Sequence, residues 1–298
     1  MNAMKLTLAM PLLVALTGGP IPASATPLLG SDLASFTVLG HSTVTNVPTS
    51  TIIGNVGVYS GTSITGFLSS PGVAVSDPQV TGGMVHATTA LAQSAQAELT
   101  TAITNLGSLG PGTTLASDLT LAGTLAPGVY TVPAGTTNLS GKLTLDGGGN
   151  ANAVWVFQMA DTLITSPNSA IKLINTGPGA GVYWDVRSSA TIDTNTTFLG
   201  NILALTAITM NSTATDLCGR ALASTAAVNL HQNSLSGVCT GVAAGTGGLS
   251  GGLEVTTTPG GPTVVALRPY AQVPEPATLG LLGLGLAGIG FARRRRNS

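Results

Sequence analysis

The sequence has 298 residues, a formal net charge of −1, 43% hydrophobic residues and only 7% charged ones. An ordinary soluble domain carries about 25% charged residues, so this chain is close to neutral in composition as well as in sum. The apolar content excludes the charged, apolar-poor disordered class, and the 40 glycines keep no three-residue period of the collagen kind. Half of the ten basic residues, Lys5 and Arg293, Arg294, Arg295 and Arg296, stand at the two ends. Lys142, Lys172, Arg187, Arg220 and Arg268 remain for the body, which leaves no basic patch for a nucleic-acid partner.

In chain order, residues 1–25 come first. Lys5 is a short basic region, Leu6 to Leu16 an apolar one, and Ala23-Ser-Ala25 a small-residue cleavage site, the three parts of a secretory signal. The Pro20-Ile-Pro22 break argues against a buried helix. The mature chain is therefore expected to be exported, with its domain over 26–240.

From about Val85 to Leu106 the positions Val85, Leu91, Ala95, Leu99, Ile103 and Leu106 keep helical spacing, and Gly107 is placed to end the helix. No other part of the body holds that period. The remainder alternates short apolar runs with Gly, Asn, Asp and Pro, the pattern of many short strands. Four segments overlay one another: Val156–Thr165, Tyr183–Thr191, Asn201–Thr209 and Arg220–Val228. The last three recur at about 18 to 19 residues, the period of one turn of a β-solenoid, and the turn-rich stretch Thr176–Gly181 lengthens the first interval. Two more copies, Ser42–Thr45 and Thr62–Thr65, precede the helix. The fold class expected is mainly β, a solenoid discontinuous in sequence, with the helix crossing along one side.

The repeated phrase is [Ser/Thr]-x-apolar-Thr: STVT at 42–45, TSIT at 62–65, TLIT at 162–165, SSAT at 188–191 and TAIT at 206–209. Alternate residues of a strand share a face, so Val44, Ile64, Ile164, Ala190 and Ile208 should point inward. Thr45, Thr65, Thr165, Thr191 and Thr209 should then point outward as a file, with Thr162, Ser188 and Thr206 opening their copies. The copy at Thr225–Val228 ends in Val228 and breaks the file. The plain alternative is that threonine favours strands anyway and that a short pattern recurs by chance. As a surface, a file of χ1-stiff threonines with almost no charge nearby suits the ordering of water into an ice-like layer.

Several long stretches carry a family resemblance: Leu29–Asn46, Ile53–Val56, Leu143–Gln158, Thr196–Thr209 and Gly219–Ala223. Together they span about Leu28 to Asn233, and in them the chain resembles the DUF3494-type ice-binding proteins of bacteria and fungi. The resemblance implies a right-handed β-helix of triangular section with one α-helix alongside, and ice as the partner, bound on a flat face. Some members carry T-A/G-x-T/N repeats on that face. Thr206-Ala-Ile-Thr209 matches this form, whereas the copies at 62–65 and 188–191 match it only loosely.

Cys218 and Cys239 suit an oxidising compartment. A bridge between them would close a loop of about 20 residues, worth roughly 3 kcal/mol in the chain-entropy model; two separate thiols are the alternative. Residues 241–272, opening with Gly241–Gly252, read as a flexible Gly/Pro-rich linker. The end, 273–298, resembles a PEP-CTERM sorting signal: Pro274-Glu275-Pro276, a short apolar stretch, then Arg293–Arg296. That likeness implies transient membrane anchoring, processing by an exosortase-type enzyme, and a destination at the cell surface or in extracellular polysaccharide. An ordinary tail anchor is the simpler alternative.

Catalytic and metal readings find no support. His41, His86 and His231 are scattered without metal-ligand spacing, and the stretch Asp146–Asn150 lacks the alternating oxygen ligands of a calcium loop. The acids are dispersed, whereas sugar-cleaving β-helices need a carboxylate pair. The expectation is a non-enzymatic, cofactor-free ice-binding protein, with a structural or adhesive matrix protein that binds polysaccharide as the alternative.

Overall fold

The computed structural model describes residues 24–135, 138–257 and 263–269. The leader expected over 1–25 lies outside them apart from Ser24 and Ala25. The sorting segment with its membrane stretch, 273–298, lies wholly outside. Among the described residues no helix is long and apolar enough to cross a membrane.

The protein is mainly β with one long helix. Its short strands pair in parallel into three ladders, and each rung of chain gives about one strand to each. The helix-side ladder runs through Gly128–Val132, Val154–Met159, Gly181–Val186, the second halves of Thr197–Ala204 and Thr215–Ala223, Phe36–Gly40, Asn55–Val58 and Val85–Ala87. An open ladder runs through Leu163–Ile164, Ala190–Ile192, Ile208–Met210, Val228–His231, Thr43–Val47 and Ser63–Thr65. A third starts at Thr124–Leu125 and Lys142–Asp146 and ends at Thr51–Ile53 and Val80–Thr81.

The order of rungs is not the order of the chain. Phe36–Gly40 pairs with Thr215–Ala223 (Val38 with Ala221), Thr43–Val47 with Val228–His231 (Val44 with Val228), and Thr51–Ile53 with Ser234–Ser236. The first rungs of the chain thus sit on its last, and the long helix returns the chain to the far end of the stack.

That helix spans Ala90–Gly107, later than the Val85 start expected from periodicity. Val85–Ala87 is a strand paired with Asn55–Val58. The apolar residue at 85 fits either period, and a ladder partner decides it. Thr88 then turns the chain at φ 52°, and the Thr89 hydroxyl accepts the Ala92 N–H at 3.2 Å, an N-cap that fixes the start. The buried stripe of Ala92, Ala95, Leu99, Ala102, Ile103 and Leu106 packs on Leu39, Val154, Val156, Tyr183, Leu203 and Leu222 of the helix-side ladder. Strands there are buried on both faces, which is why Gly181–Val186 reads as an almost continuous apolar run.

The space between the ladders holds the other core. Phe157 stacks on Trp184 with centroids 4.1 Å apart, and Tyr130 and Phe198 extend the row to either side. Trp155 and Trp184 are fully buried. Their indole N–H groups donate to Leu125 O and Leu199 O at 3.2 and 3.0 Å, so both are packing residues with their polar handles satisfied.

The linker expected over 241–272 is folded where the range is described, at 241–257 and 263–269. Ala243, Thr246, Leu249, Leu253 and Val255 are buried, and Leu253–Thr257 pairs antiparallel with Ser24–Pro27 and with Thr263–Leu267. The glycines misled: Gly245, Gly247, Gly248 and Gly252 all take positive φ, so they fold the segment tightly instead of loosening it. A disulfide joins Cys218 to Cys239, with Cα atoms 4.7 Å apart, and ties the start of this segment to the stack.

Arg220 fastens these parts together from inside. Its guanidinium donates to Asn201 Oδ1 (2.8 Å), Ala34 O (2.6 Å), Gly247 O (2.9 Å) and Gly248 O (3.1 Å). Burial lowers its pKa to about 10, so it stays charged at neutral pH. Replacing Arg220 with Leu would strand several buried acceptors. It should cost about 3 kcal/mol or more, read as a lower urea midpoint.

Two carboxyls are also deep. Burial raises Asp216 to about 8, with Cys218 and Gly200 N–H groups opposing the shift, and its Oδ2 has no hydrogen-bond partner. Burial likewise raises Asp185 to about 6, against the attraction of Arg187, which pairs with it at 2.7 Å. Both stand above the unfolded value of about 3.9, so the folded state holds more protons. Their stabilisation is complete below about pH 4 and is lost as pH rises, through about 6 for Asp185 and about 8 for Asp216. The melting temperature should therefore fall between pH 5 and pH 8, and Asp216→Asn should flatten the upper part of that fall.

Candidate functional site

The open ladder is built from strands of two to five residues whose inward and outward positions alternate. Leu163, Ala190, Ile208, Val228, Val44 and Ile64 pair in register and are buried. The next residue of each strand forms the outward file: Ile164, Thr191, Thr209, Asn229, Thr45 and Thr65. Adjacent members are one strand spacing apart, about 4.8 Å, so six rungs extend over about 24 Å.

A second file stands two residues earlier. Thr43 pairs with Ser63, and the same register carried back brings in Thr162, Ser189, Ala207 and Ala227. Ser189 Oγ and Thr206 Oγ1 are 2.7 Å apart, coupling neighbouring rungs where they enter the ladder. At the other margin Asn211 Nδ2 donates to Asp193 Oδ1 at 2.9 Å. The Asn211 amide and the Thr194 N–H hold the Asp193 carboxyl below the usual carboxylate range. His231 lies on the same margin, so the face between its edges carries hydroxyls, methyls and one amide but no ionised group.

Of the residues expected from spacing, Thr45, Thr65, Thr191 and Thr209 stand in one file, and Ser188 and Thr206 precede its members by three residues. Two do not follow the pattern. In the rung at 162–165 the pairing of Leu163 with Ala190 puts Ile164 in the outward slot, not Thr165. Thr165 is buried: its hydroxyl meets Thr196 Oγ1 at 3.1 Å and accepts the Asp193 N–H at 2.8 Å. Thr162 falls in the second file. Leucine and isoleucine at 163 and 164 fit the inward slot equally well, so the sequence could not fix this rung to one residue.

Asn229 was missed for the same reason. The rung from Ile208 to Val228 is two residues longer than that from Ala190 to Ile208, so Val228 points inward and Asn229 outward. Thr43, Ser63 and Ser189 hold the second position of their copies, in step with the fourth; leucine and alanine fill the same position at Leu163 and Ala207, so the pattern does not single it out. The dipeptides Gly54-Asn55 and Gly200-Asn201 stand at related corners: Gly54 and Gly200 have φ of 116° and 108°, a conformation only glycine takes readily.

The remaining polar features are structural. Asp146 accepts the Gly148 N–H and an Asn175 amide hydrogen, as a turn residue does. His86 is buried beside Phe36 and Thr89, and burial lowers its pKa. Among the described residues no three His, Cys, Asp or Glu side chains converge.

Comparison with known proteins fits this geometry. The model of the ice-binding-like family matches residues 38–236, and that of the PEP-CTERM protein-sorting motif matches 272–296. An ice-binding protein of Nostoc sp. (strain HG1) is 38% identical over 276 residues, covering 92% of this chain and 89% of its own. A crystal structure of an ice-binding protein from an Antarctic biological consortium superposes with a TM-score of 0.61 at 30% identity, over 77% of this chain and 96% of that one. The ice-binding protein of the ascomycete Antarctomyces psychrotrophicus gives 0.59 at 33% identity, over 72% and 98%. The chain belongs to the ice-binding-like family.

The two kinds of threonine should separate by stability. Thr165→Val removes a hydroxyl with buried partners and should cost about 1–3 kcal/mol. Thr209→Val, on the surface, should stay within about 0.5 kcal/mol. Thermal melts of the two variants beside the parent check this.

Proposed function

We propose that the protein is exported and adsorbs to ice through the open ladder, slowing ice growth and recrystallisation. In this reading the three ladders wind as a discontinuous right-handed β-helix of triangular section, with the long helix packed on one side. The helix covers one ladder, which leaves the hydroxyl-bearing open ladder as a contact surface.

The observation that carries the proposal is the outward file of Thr191, Thr209, Asn229, Thr45 and Thr65 at one strand spacing. Threonine on a strand has a restricted χ1, so the array is ordered before contact and loses little side-chain entropy on binding. Its methyl groups favour leaving liquid water, while its hydroxyls can replace water molecules in an ordered layer. Ice presents no charge for a charged side chain to meet, so a face free of ionised groups avoids uncompensated desolvation. The similar proteins from Nostoc and from the Antarctic consortium are ice-binding proteins, which agrees with this reading.

No catalytic role is proposed, because the deep acids Asp185 and Asp216 are enclosed and the others are dispersed. The basic and apolar start of the chain with its Ala23-Ser-Ala25 site supports export. The match over 272–296 supports handling by an exosortase-type enzyme, with transient membrane holding through the apolar stretch before Arg293.

The test uses the mature protein in supercooled solution. Shaped crystals and suppressed recrystallisation are expected, and Thr209→Tyr together with Thr191→Tyr should remove most of that activity while the melting temperature stays near the parent's. Round crystals and ordinary recrystallisation from the unmodified protein would sink the proposal. Binding to the cell's own polysaccharide without binding to ice would move the function to the matrix or adhesive class.

A further inference from the structure

Between the long helix and the terminal sheet lies a groove of about 390 Å³, lined among others by Thr26, Gly30, Ser94, Glu98, Asn105 and Val255. Glu98 is the sole charged residue of that lining. Its Oε2 accepts the Leu33 N–H at 2.7 Å, while Oε1 has no hydrogen-bond partner among the described residues. Residue 30 must be small for this arrangement, since a Cβ there would overlap the Glu98 carboxyl.

The second observation comes from the other wall. Thr26 belongs to the strand Ser24–Pro27, pairs with Val255, and donates its hydroxyl to Val255 O at 3.3 Å. Cleavage after Ala25, which the Ala23-Ser-Ala25 pattern places, would make Thr26 the first residue of the mature chain. A new α-ammonium group would then appear in a groove whose one charge is negative. We propose that Glu98 is the receptor for the mature N-terminus, and that the ammonium–carboxylate pair formed on processing fastens the terminal sheet to the long helix. This rests on the export reading given above.

The surroundings suit a cation. Asp32 is on the short helix Ser31–Ala34 packed against the long one, and the cation nearest that helix, Arg220, is already engaged by Ala34 O, Asn201, Gly247 and Gly248. Glu254 on the sheet is already engaged by Arg268 at 2.6 Å. On the helix-side ladder Asp185 is matched by Arg187, and burial lowers the pKa of His86. The precursor lacks the pair altogether, because its residue 26 carries an amide and no ammonium. Processing would thus exchange the pairings of Ser24 and Ala25 with Thr257 and Thr256 for an ionic contact at Thr26.

The test is a cycle on the mature chain starting at Thr26, with its α-amino group free or acetylated, in the parent and in Glu98→Gln. Acetylation should lower the parent's melting temperature at pH 6 by about 2–4 °C and leave that of Glu98→Gln unchanged. An α-amino group titrates near 7.7–8.0 when unperturbed, and pairing raises that value. The stabilisation should therefore be full at about pH 6–7 and vanish well above pH 8. Equal acetylation effects in both backgrounds, or an effect that persists at high pH, would overturn the proposal. Mass spectrometry of the exported protein tests the export reading separately. A first residue other than Thr26 removes the premise, whereas a Thr26 start without coupling removes only the pair.

Discussion

The stack holds together at a seam that chain order does not provide. Val38 against Ala221, Val44 against Val228 and Ser234 against Thr51 join rungs separated by most of the sequence. Without that seam there would be two short stacks, each ending in unpaired backbone groups on all three ladders. Arg220 stands beside the seam and reaches Ala34 on the early side and Gly247 and Gly248 on the late side. One buried cation thus couples the first rungs, the last rungs and the folded C-terminal segment, and the low dielectric around it makes each of its acceptors costly to leave unpaired.

The seam also organises the surface. The open ladder takes four of its rungs from the later part of the chain and two from the earlier, and Asn229 meets Thr45 where they join. The long helix that makes this order possible covers the helix-side ladder and builds a second apolar core there. Division of labour among the ladders follows: one is buried on both sides, while the open one presents short polar side chains. The near-absence of charge in the composition is the large-scale trace of the same design. The deep ionisable groups serve assembly, with Arg220 bridging segments and Asp185 paired to Arg187.

Much of this was legible in the sequence because two signals are periodic. The helix betrays itself by Leu91, Ala95, Leu99, Ile103 and Leu106, and the rungs by repeats near a fixed length on both sides of it. What periodicity cannot give is register to one residue. Leu163 and Ile164 are interchangeable as inward residues, and only the pairing to Ala190 chooses between them; the longer rung before Val228 hid Asn229 in the same way. Composition misled over 241–257, where glycine signals tight turns over a buried Leu249 and Leu253 and not a free tether. The groove at Glu98 was invisible, since it joins residues brought together only by packing.

A chain arranged in this way has a timetable. Rungs at 36–65 are among the first to emerge during synthesis or translocation, yet their partners at 221–236 are among the last. The early part must therefore wait, with its ladder edges open, until nearly the whole domain has been made. Contacts of such sequence separation form slowly because loop closure precedes any gain from pairing. The six-rung face is consequently a property of the finished chain alone: no partial product carries a surface of that length.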